Sequence, residues 1–330
     1  MTKIVKKFII SLAFVAALQP AFAQKVRYSI SPRNAESVLS QEHIRSSVEW
    51  MSSPSLGGRA TGTDGAFKTA VWLSEQFRAQ GLQPMGGAWF HGFSTSSGMG
   101  RNVMGLVPGS GERYVIVMAH YDNLGTLGGT FYPGADSNAS GVAVLVELAG
   151  MFTKMNACKK TYAYNLLLVG LDAKEKDLSG AADLWRRIAD GKLLNPVTGT
   201  PVSPDKVELV VNLDQLGSTL SPVTKGNPHY ILMLSDAASG RRSQLESANR
   251  TQHLDLEIGY DYYGSKDFTR LFYERVSDQR VFLEHGIPAV MFTSGITFNN
   301  NKPADTPETL DYAVLRRRVQ LIFYWLDKVL

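Results

Sequence analysis

Four short, largely apolar runs constrain this chain more than any other feature: Tyr114 to Ala119, Leu166 to Leu171, Leu209 to Leu213 and Ala289 to Thr293, each with β-branched residues. A strand with one wet face alternates apolar and polar residues, so unbroken runs of this kind call for burial on both faces. Ser140 to Phe152 lies between the first two runs as an apolar helix candidate, and Ser179 to Ile188 follows the second with helical character. Strands alternating with helices predict one α/β domain, with a twisted, mostly parallel central sheet covered by helices on both faces. Helical spacing also marks residues 41–53 and 65–80, the second with Phe67, Val71, Leu73 and Phe77 as its apolar face and Gly81 as its stop. Near the other end Thr306 is expected to cap a helix with Pro307 at its first position, continuing from Leu310 to Leu330. Arg316 to Arg318 falls in that helix and reads as a solvated face rather than a phosphate or nucleic-acid contact.

The first residues have the layout of a cleavable export signal: Lys3, Lys6 and Lys7, an apolar run from Phe8 to Leu18, then Ala21-Phe22-Ala23. Cleavage after Ala23 leaves residues 24–330 as the domain. The apolar run is about 11 residues, short of the roughly 20 that a membrane-spanning helix needs, and no later run is longer. The processed chain is therefore expected in the periplasm or outside the cell, without stable membrane insertion. Losing the three lysines lowers the formal charge from +4 to +1, so the charge balance gives no argument for a nucleic-acid partner. With 44% apolar and 19% charged residues the chain can bury a large core. Cys158 is the single cysteine, which excludes an intrachain disulfide and a Cys-based zinc site and reads as a buried structural residue.

In open α/β sheets functional groups gather beyond the carboxyl ends of the strands. His120-Tyr121-Asp122 ends the first apolar run, Asp172-Ala173-Lys174-Glu175 the second and Asp214 the third, while Asp136 lies in the loop leading into the next helix. A lone His at a strand end is usually a structural residue, and an Asp before a helix is usually a cap. Their joint placement at successive strand ends points instead to one site with the ligand chemistry of zinc.

Further motifs fall in order along nearly the whole processed chain: Gly58-Arg59 with Thr61-Gly62-Thr63, Asn102-Val103-Met104-Gly105 with Pro108-Gly109, Gly134 to Gly141, Asn212 to Gly217, and Gly286-Ile287-Pro288-Ala289 ahead of Asp305-Thr306. With His120-Tyr121-Asp122 they resemble the co-catalytic zinc aminopeptidases related to bacterial leucyl aminopeptidases and glutaminyl cyclases. The resemblance implies that His120 and Asp214 bind one zinc, that Asp136 bridges two, that Glu175 binds the second, and that Asp122 orients His120. It implies removal of N-terminal residues from peptides by a metal-activated water.

The chain departs from that pattern where the chemistry is done. Lys174 stands where the family has the general-base Glu, and an ammonium has no lone pair to take a proton. Asn301 stands where a closing His binds the second zinc, Ser137 replaces an Asp, and Gln279 replaces the His of Ser-Asp-His. An amide oxygen is a poor zinc ligand beside imidazole, so one zinc is expected, with the second position weak or empty. His285 is the nearest other imidazole but sits in an ordinary position before Gly286. Charge balance predicts that the Lys174 ammonium takes the place of the second zinc, paired with Asp136 and Glu175. The functional expectation is a peptidase-family protein with weak or absent hydrolysis. A non-catalytic peptide- or protein-binding role and glutaminyl cyclisation remain as alternatives. A peptide is the expected substrate or ligand.

Overall fold

The four apolar runs become neighbouring strands of one sheet. The computed structural model describes residues 31–235 and 241–330, so the export signal expected at residues 1–23 lies outside the described residues. In chain order the strands are β1 (Gln83–Pro84), β2 (Phe90–Thr95), β3 (Gly98–Val107), β4 (Tyr114–His120), β5 (Thr126–Leu127), β6 (Thr130–Phe131), β7 (Asn165–Leu171), β8 (Val207–Leu213), β9 (Tyr230–Ser235), β10 (Glu257–Gly259) and β11 (Ala289–Thr293). The α-helices are α1 (Gln41–Met51), α2 (Asp64–Ala79), α3 (Ser140–Ala157), α4 (Ser179–Ala189), α5 (Arg241–Thr251), α6 (Lys266–Arg275), α7 (Gln279–Leu283) and α8 (Tyr312–Val329). Among the described residues the main sheet runs β1-β3-β7-β4-β8-β11-β9-β10, with β2 also paired to β3. Its central strands β7, β4, β8 and β11 are parallel, and antiparallel pairing enters at β3 with β7 and at β11 with β9.

Burial on both faces accounts for the unbroken apolar runs. Val115, Val117 and Ala119 of β4 join a core with Ile44 of α1, Leu73 of α2, Leu148 of α3 and Phe323 of α8. Their neighbours Ile116 and Met118 pack on the opposite face with Leu184 and Ile188 of α4 and Phe282 of α7. Because the central strands are parallel, their carboxyl ends share one edge, and His120, Asp172 and Asp214 all arrive there. The chain leaves β7 and β8 through Ala173 (φ 62°) and Gln215 (φ 57°), left-handed turns that fold each strand end back over that edge. Gly180 at the start of α4 leaves room for the same corner, since a Cβ there would lie 2.0 Å from the backbone oxygen of Asp172.

Several local expectations are corrected. Helix α2 buries Ala66, Ala70, Leu73 and Phe77, while Phe67 is 43% exposed under the guanidinium of Arg101. Asp311, not Thr306, caps the last helix by accepting from the N–H groups of Ala313 and Val314; Thr306 precedes only a short turn at Pro307–Thr309. Arg316 and Arg317 keep partial exposure, but Arg318 is fully buried and donates to the carbonyls of Leu216 at 2.7 Å, Ser218 at 2.8 Å and Tyr230 at 2.8 Å. Cys158 is half-buried rather than buried. No helix among the described residues is long and apolar enough to cross a membrane.

Candidate functional site

Two side chains at the carboxyl edge face each other. His120, the last residue of β4, is fully buried and turns Nδ1 toward the Asp122 backbone carbonyl at 3.1 Å. Its Nε2 lies 3.5 Å from Asp214 Oδ1, and both atoms are buried without a hydrogen-bond partner. The second Asp214 oxygen accepts from Ser277 Oγ at 2.6 Å. Burial opposes charge on His120, but the Asp122 and Asp214 carboxylates outweigh it and the imidazole is pushed up to about 10. Asp214, against the same opposition from burial, is held well below the usual carboxylate range by His120 and Lys174. Asn138 joins the two strand ends, with Nδ2 donating to the Leu213 carbonyl at 2.9 Å and the His120 carbonyl at 3.3 Å.

The loop after β7 delivers Lys174 into this site. Buried Asp122 accepts the N–H of Lys174 on one oxygen and that of Glu175 on the other, each at 3.0 Å. The Lys174 Nζ donates to Glu175 Oε1 at 2.8 Å, and these side chains are only 13% and 18% exposed. Burial works against the ammonium, yet Asp214, Glu175 and Asp278 hold it above the usual lysine range. Asp278 is itself fully buried with neither carboxylate oxygen hydrogen-bonded, and burial pushes it up to about 7. Of the two partners expected for Lys174, Glu175 is hydrogen-bonded to it at 2.8 Å.

Asp136 uses one oxygen for hydrogen bonds, while its Oδ2 is buried without a partner. One of its oxygens accepts from the Gly217 N–H at 2.7 Å and from Ser140 Oγ at 2.9 Å. Asp305 accepts the N–H groups of Asp136 at 2.8 Å and Ser137 at 3.0 Å, fixing the loop that carries them. Burial and the nearby Asp305 charge raise the Asp136 pKa.

Of the four ligands implied by the resemblance, His120 and Asp214 come together, Glu175 is engaged by Lys174, and Asp136 is tied to Gly217 and Ser140 through Oδ1 while Oδ2 has no partner. Among the described residues no three His, Cys, Asp or Glu side chains are grouped as a metal's ligands. Yet His120 Nε2, Asp136 Oδ2 and Asp214 Oδ1, all buried without hydrogen-bond partners, are the donor types that would hold a zinc ion.

The site opens into a cleft of about 790 Å³ lined by Lys174, Glu175, Trp185, Arg275, His285 and Asn301. Asn301, at the position of the closing ligand, is exposed on its rim. His285 is no substitute ligand: its ring stacks on Trp185 at 4.2 Å and Nδ1 contacts the Val281 carbonyl at 2.7 Å. Gln279 is structural, accepting from Asn212 and donating to the Tyr273 carbonyl, each at 2.8 Å.

Arg59 was visible in its motif but not its task. It is fully buried and donates to the carbonyls of Tyr121, Pro133 and Gly134 at 2.8–2.9 Å, and to that of Met51, fastening the His120 strand end to the Asp136 loop.

A model of the family described as "Peptidase family M28" matches residues 102–326. Among curated proteins, the BOS complex subunit ncln of Danio rerio is 32% identical over 165 residues, 47% of this chain and 26% of that protein. The chain thus spans about a quarter of that relative's length. Among solved structures, BSAP, a zinc aminopeptidase from Bacillus subtilis, aligns with a TM-score of 0.65 at 13% identity over 88% of this chain and 95% of that one. Porphyromonas gingivalis glutaminyl cyclase aligns with a TM-score of 0.64 at 18% identity over 89% and 99%. At such identities these two bear on the fold alone, the zinc exopeptidase architecture. Zinc is the metal to which this ancestry points.

Proposed function

The chain belongs to peptidase family M28, and from that premise we propose that its cleft binds a peptide or polypeptide while hydrolysing it weakly or not at all. One observation carries the reading: the general-base position holds the Lys174 ammonium, hydrogen-bonded to Glu175 at 2.8 Å and surrounded by carboxylates that keep its proton. A group so protonated cannot accept a proton from water, and the loss of one general base typically lowers a rate roughly 100-fold to 10,000-fold. Glutaminyl cyclisation is the weaker alternative, because the resemblance assigns it the same base and closing His.

The retained cleft supports binding, and so does the description of one relative as a subunit of a complex. Export rests on Lys3, Lys6, Lys7 and the Phe8 to Ala23 segment; it predicts a processed protein beginning at Gln24, read by N-terminal sequencing. The activity is tested by turnover of a panel of aminoacyl chromogenic substrates alongside zinc per chain. Turnover about 100-fold or more below that of an active family member is expected. Two zincs with substantial turnover would overturn the reading.

A further inference from the structure

Most surface arginines of this fold meet a carboxylate or an aromatic ring: Arg45 meets Glu49, Arg270 meets Glu274 and Arg280 meets Glu284, while Arg242 lies over the ring of Tyr260. Three that meet neither share one hollow. Arg33 of the short turn Pro32–Val38 and Arg316 and Arg317 of α8 line a depression of about 490 Å³, closed on one side by Gln252 after α5. Ala35 of that turn and Val314 of α8 belong to the core on one face of the sheet, whereas Leu184 of α4 and Phe282 of α7 belong to the core on the other. The hollow is thus separate from the cleft, which is lined from α4 and α7.

The polar groups around these arginines leave mainly donors for a ligand. Gln252 Oε1 accepts from Arg33 Nε at 3.3 Å, and Gln320 Oε1 accepts from Arg316 at 3.4 Å. With its oxygen engaged, each glutamine keeps an amide NH2 that has no acceptor among the described residues. Arg317 spends no guanidinium N–H on any described residue, and none of the three arginines has a carboxylate within ion-pair distance there. Two carboxylates stand on the wall against three guanidinium groups, and one of them, Glu36, already accepts from the Tyr324 hydroxyl. One bidentate guanidinium satisfies a carboxylate, which has two oxygens. Guanidinium groups arriving from two elements, with amide donors beside them, suit an anion with more oxygens and more charge.

We propose that this hollow binds the phosphate group of a small soluble molecule, gripped by Arg33, Arg316 and Arg317. Arg316 and Arg317 read as a solvated face along their helix; the company of Arg33, Gln252 and Gln320 gives them a common target. The concave form, with Glu36 and the exposed Asp255 on the wall, favours a small anion over a flat anionic bilayer, whose phosphates would have to approach those two carboxylates. The site goes beyond the cleft reading and does not depend on it.

The test uses the purified full chain, titrated calorimetrically with inorganic phosphate and, separately, with sodium chloride of equal ionic strength. Thermal unfolding is followed in the same two solutions. Saturable binding of about one phosphate per chain is expected, with a Tm several degrees higher in phosphate than in chloride. Arg33→Gln and Arg317→Gln are each expected to weaken phosphate binding roughly tenfold or more, the loss of one charge-assisted contact. Arg270→Gln, whose arginine pairs with Glu274 outside the hollow, is expected to leave it unchanged. Both hollow variants are expected to keep the wild-type Tm in chloride, which separates lost binding from lost fold. No saturable heat from phosphate overturns the proposal, a result that needs no variant to fold. Phosphate binding that Arg33→Gln and Arg317→Gln both retain in full also overturns it. Sedimentation with phosphatidylglycerol or phosphatidylcholine vesicles separates the sources of phosphate: protein carried down by the first alone, without binding of inorganic phosphate, would replace the small ligand with a membrane.

Discussion

Asp122 accepts the backbone N–H of Lys174 at 3.0 Å, although the side chain of Lys174 is not the one the family's chemistry uses. Its second oxygen holds the Glu175 N–H, also at 3.0 Å, and its backbone carbonyl lies 3.1 Å from His120 Nδ1. One buried residue therefore fixes both the imidazole and the loop that faces it. The scaffold has been kept while the groups it presents have changed.

Asp122→Asn tests that clamp. An amide offers one acceptor, and turns its NH2 toward one of two N–H groups that need acceptors. With the residue buried, the expected loss is about 2–4 kcal/mol in urea unfolding. A loss below about 0.5 kcal/mol, the level of an ordinary surface substitution, would show that the loop is held by other contacts.

Lys174→Glu combined with Asn301→His restores the two substituted positions of the family pattern. Zinc content and aminoacyl-substrate turnover are both expected to rise, turnover by roughly 100-fold, the scale of one general base. If neither moves, further parts of the family's site are missing.

The sheet was legible in the sequence because strands buried on both faces must be continuously apolar, and the site's position followed from parallel strands ending on one edge. The run at Tyr230–Ser235 is equally apolar, but its antiparallel place beside Ala289–Thr293 depends on a long-range pairing with no local signature. The pairing of Lys174 with Glu175 was legible from charge balance, whereas the hydrogen bonds of Asp136 to Gly217 and Ser140 depend on segments distant in sequence. The burial of Arg318 did have a signal. It stands four residues after Val314 and four before Ile322 on the inward stripe of its helix, and the neighbouring arginines masked it.

That stripe separates three adjacent arginines. Arg318→Ala leaves the carbonyls of Leu216, Ser218 and Tyr230 without their donor and opens a hole in a closed core. A loss of about 3–5 kcal/mol is expected. Arg316→Ala and Arg317→Ala, partly exposed, are expected to stay within about 0.5 kcal/mol of wild type. Equal effects from all three in urea unfolding would contradict the inward orientation of Arg318.

Away from the site, His43 on the first helix lies 2.6 Å from Glu147 on the third, which also accepts the Ser40 N–H at 3.1 Å. The hydrogen bond to Glu147 raises the His43 pKa above its ordinary 6.5 against the opposing effect of burial. A group whose folded pKa is raised contributes stability that is fully present below its unfolded value and lost as pH climbs through the folded one. The pair should therefore stabilise the fold fully below the ordinary 6.5 and lose that contribution as pH climbs through the raised folded value. His43→Gln removes the titration while keeping a polar side chain. The stability gap between wild type and variant, taken from urea unfolding across that range, is expected to be widest at the acid end and to shrink with rising pH. A gap that stays constant would mean that the contact between the two helices does not depend on the imidazolium.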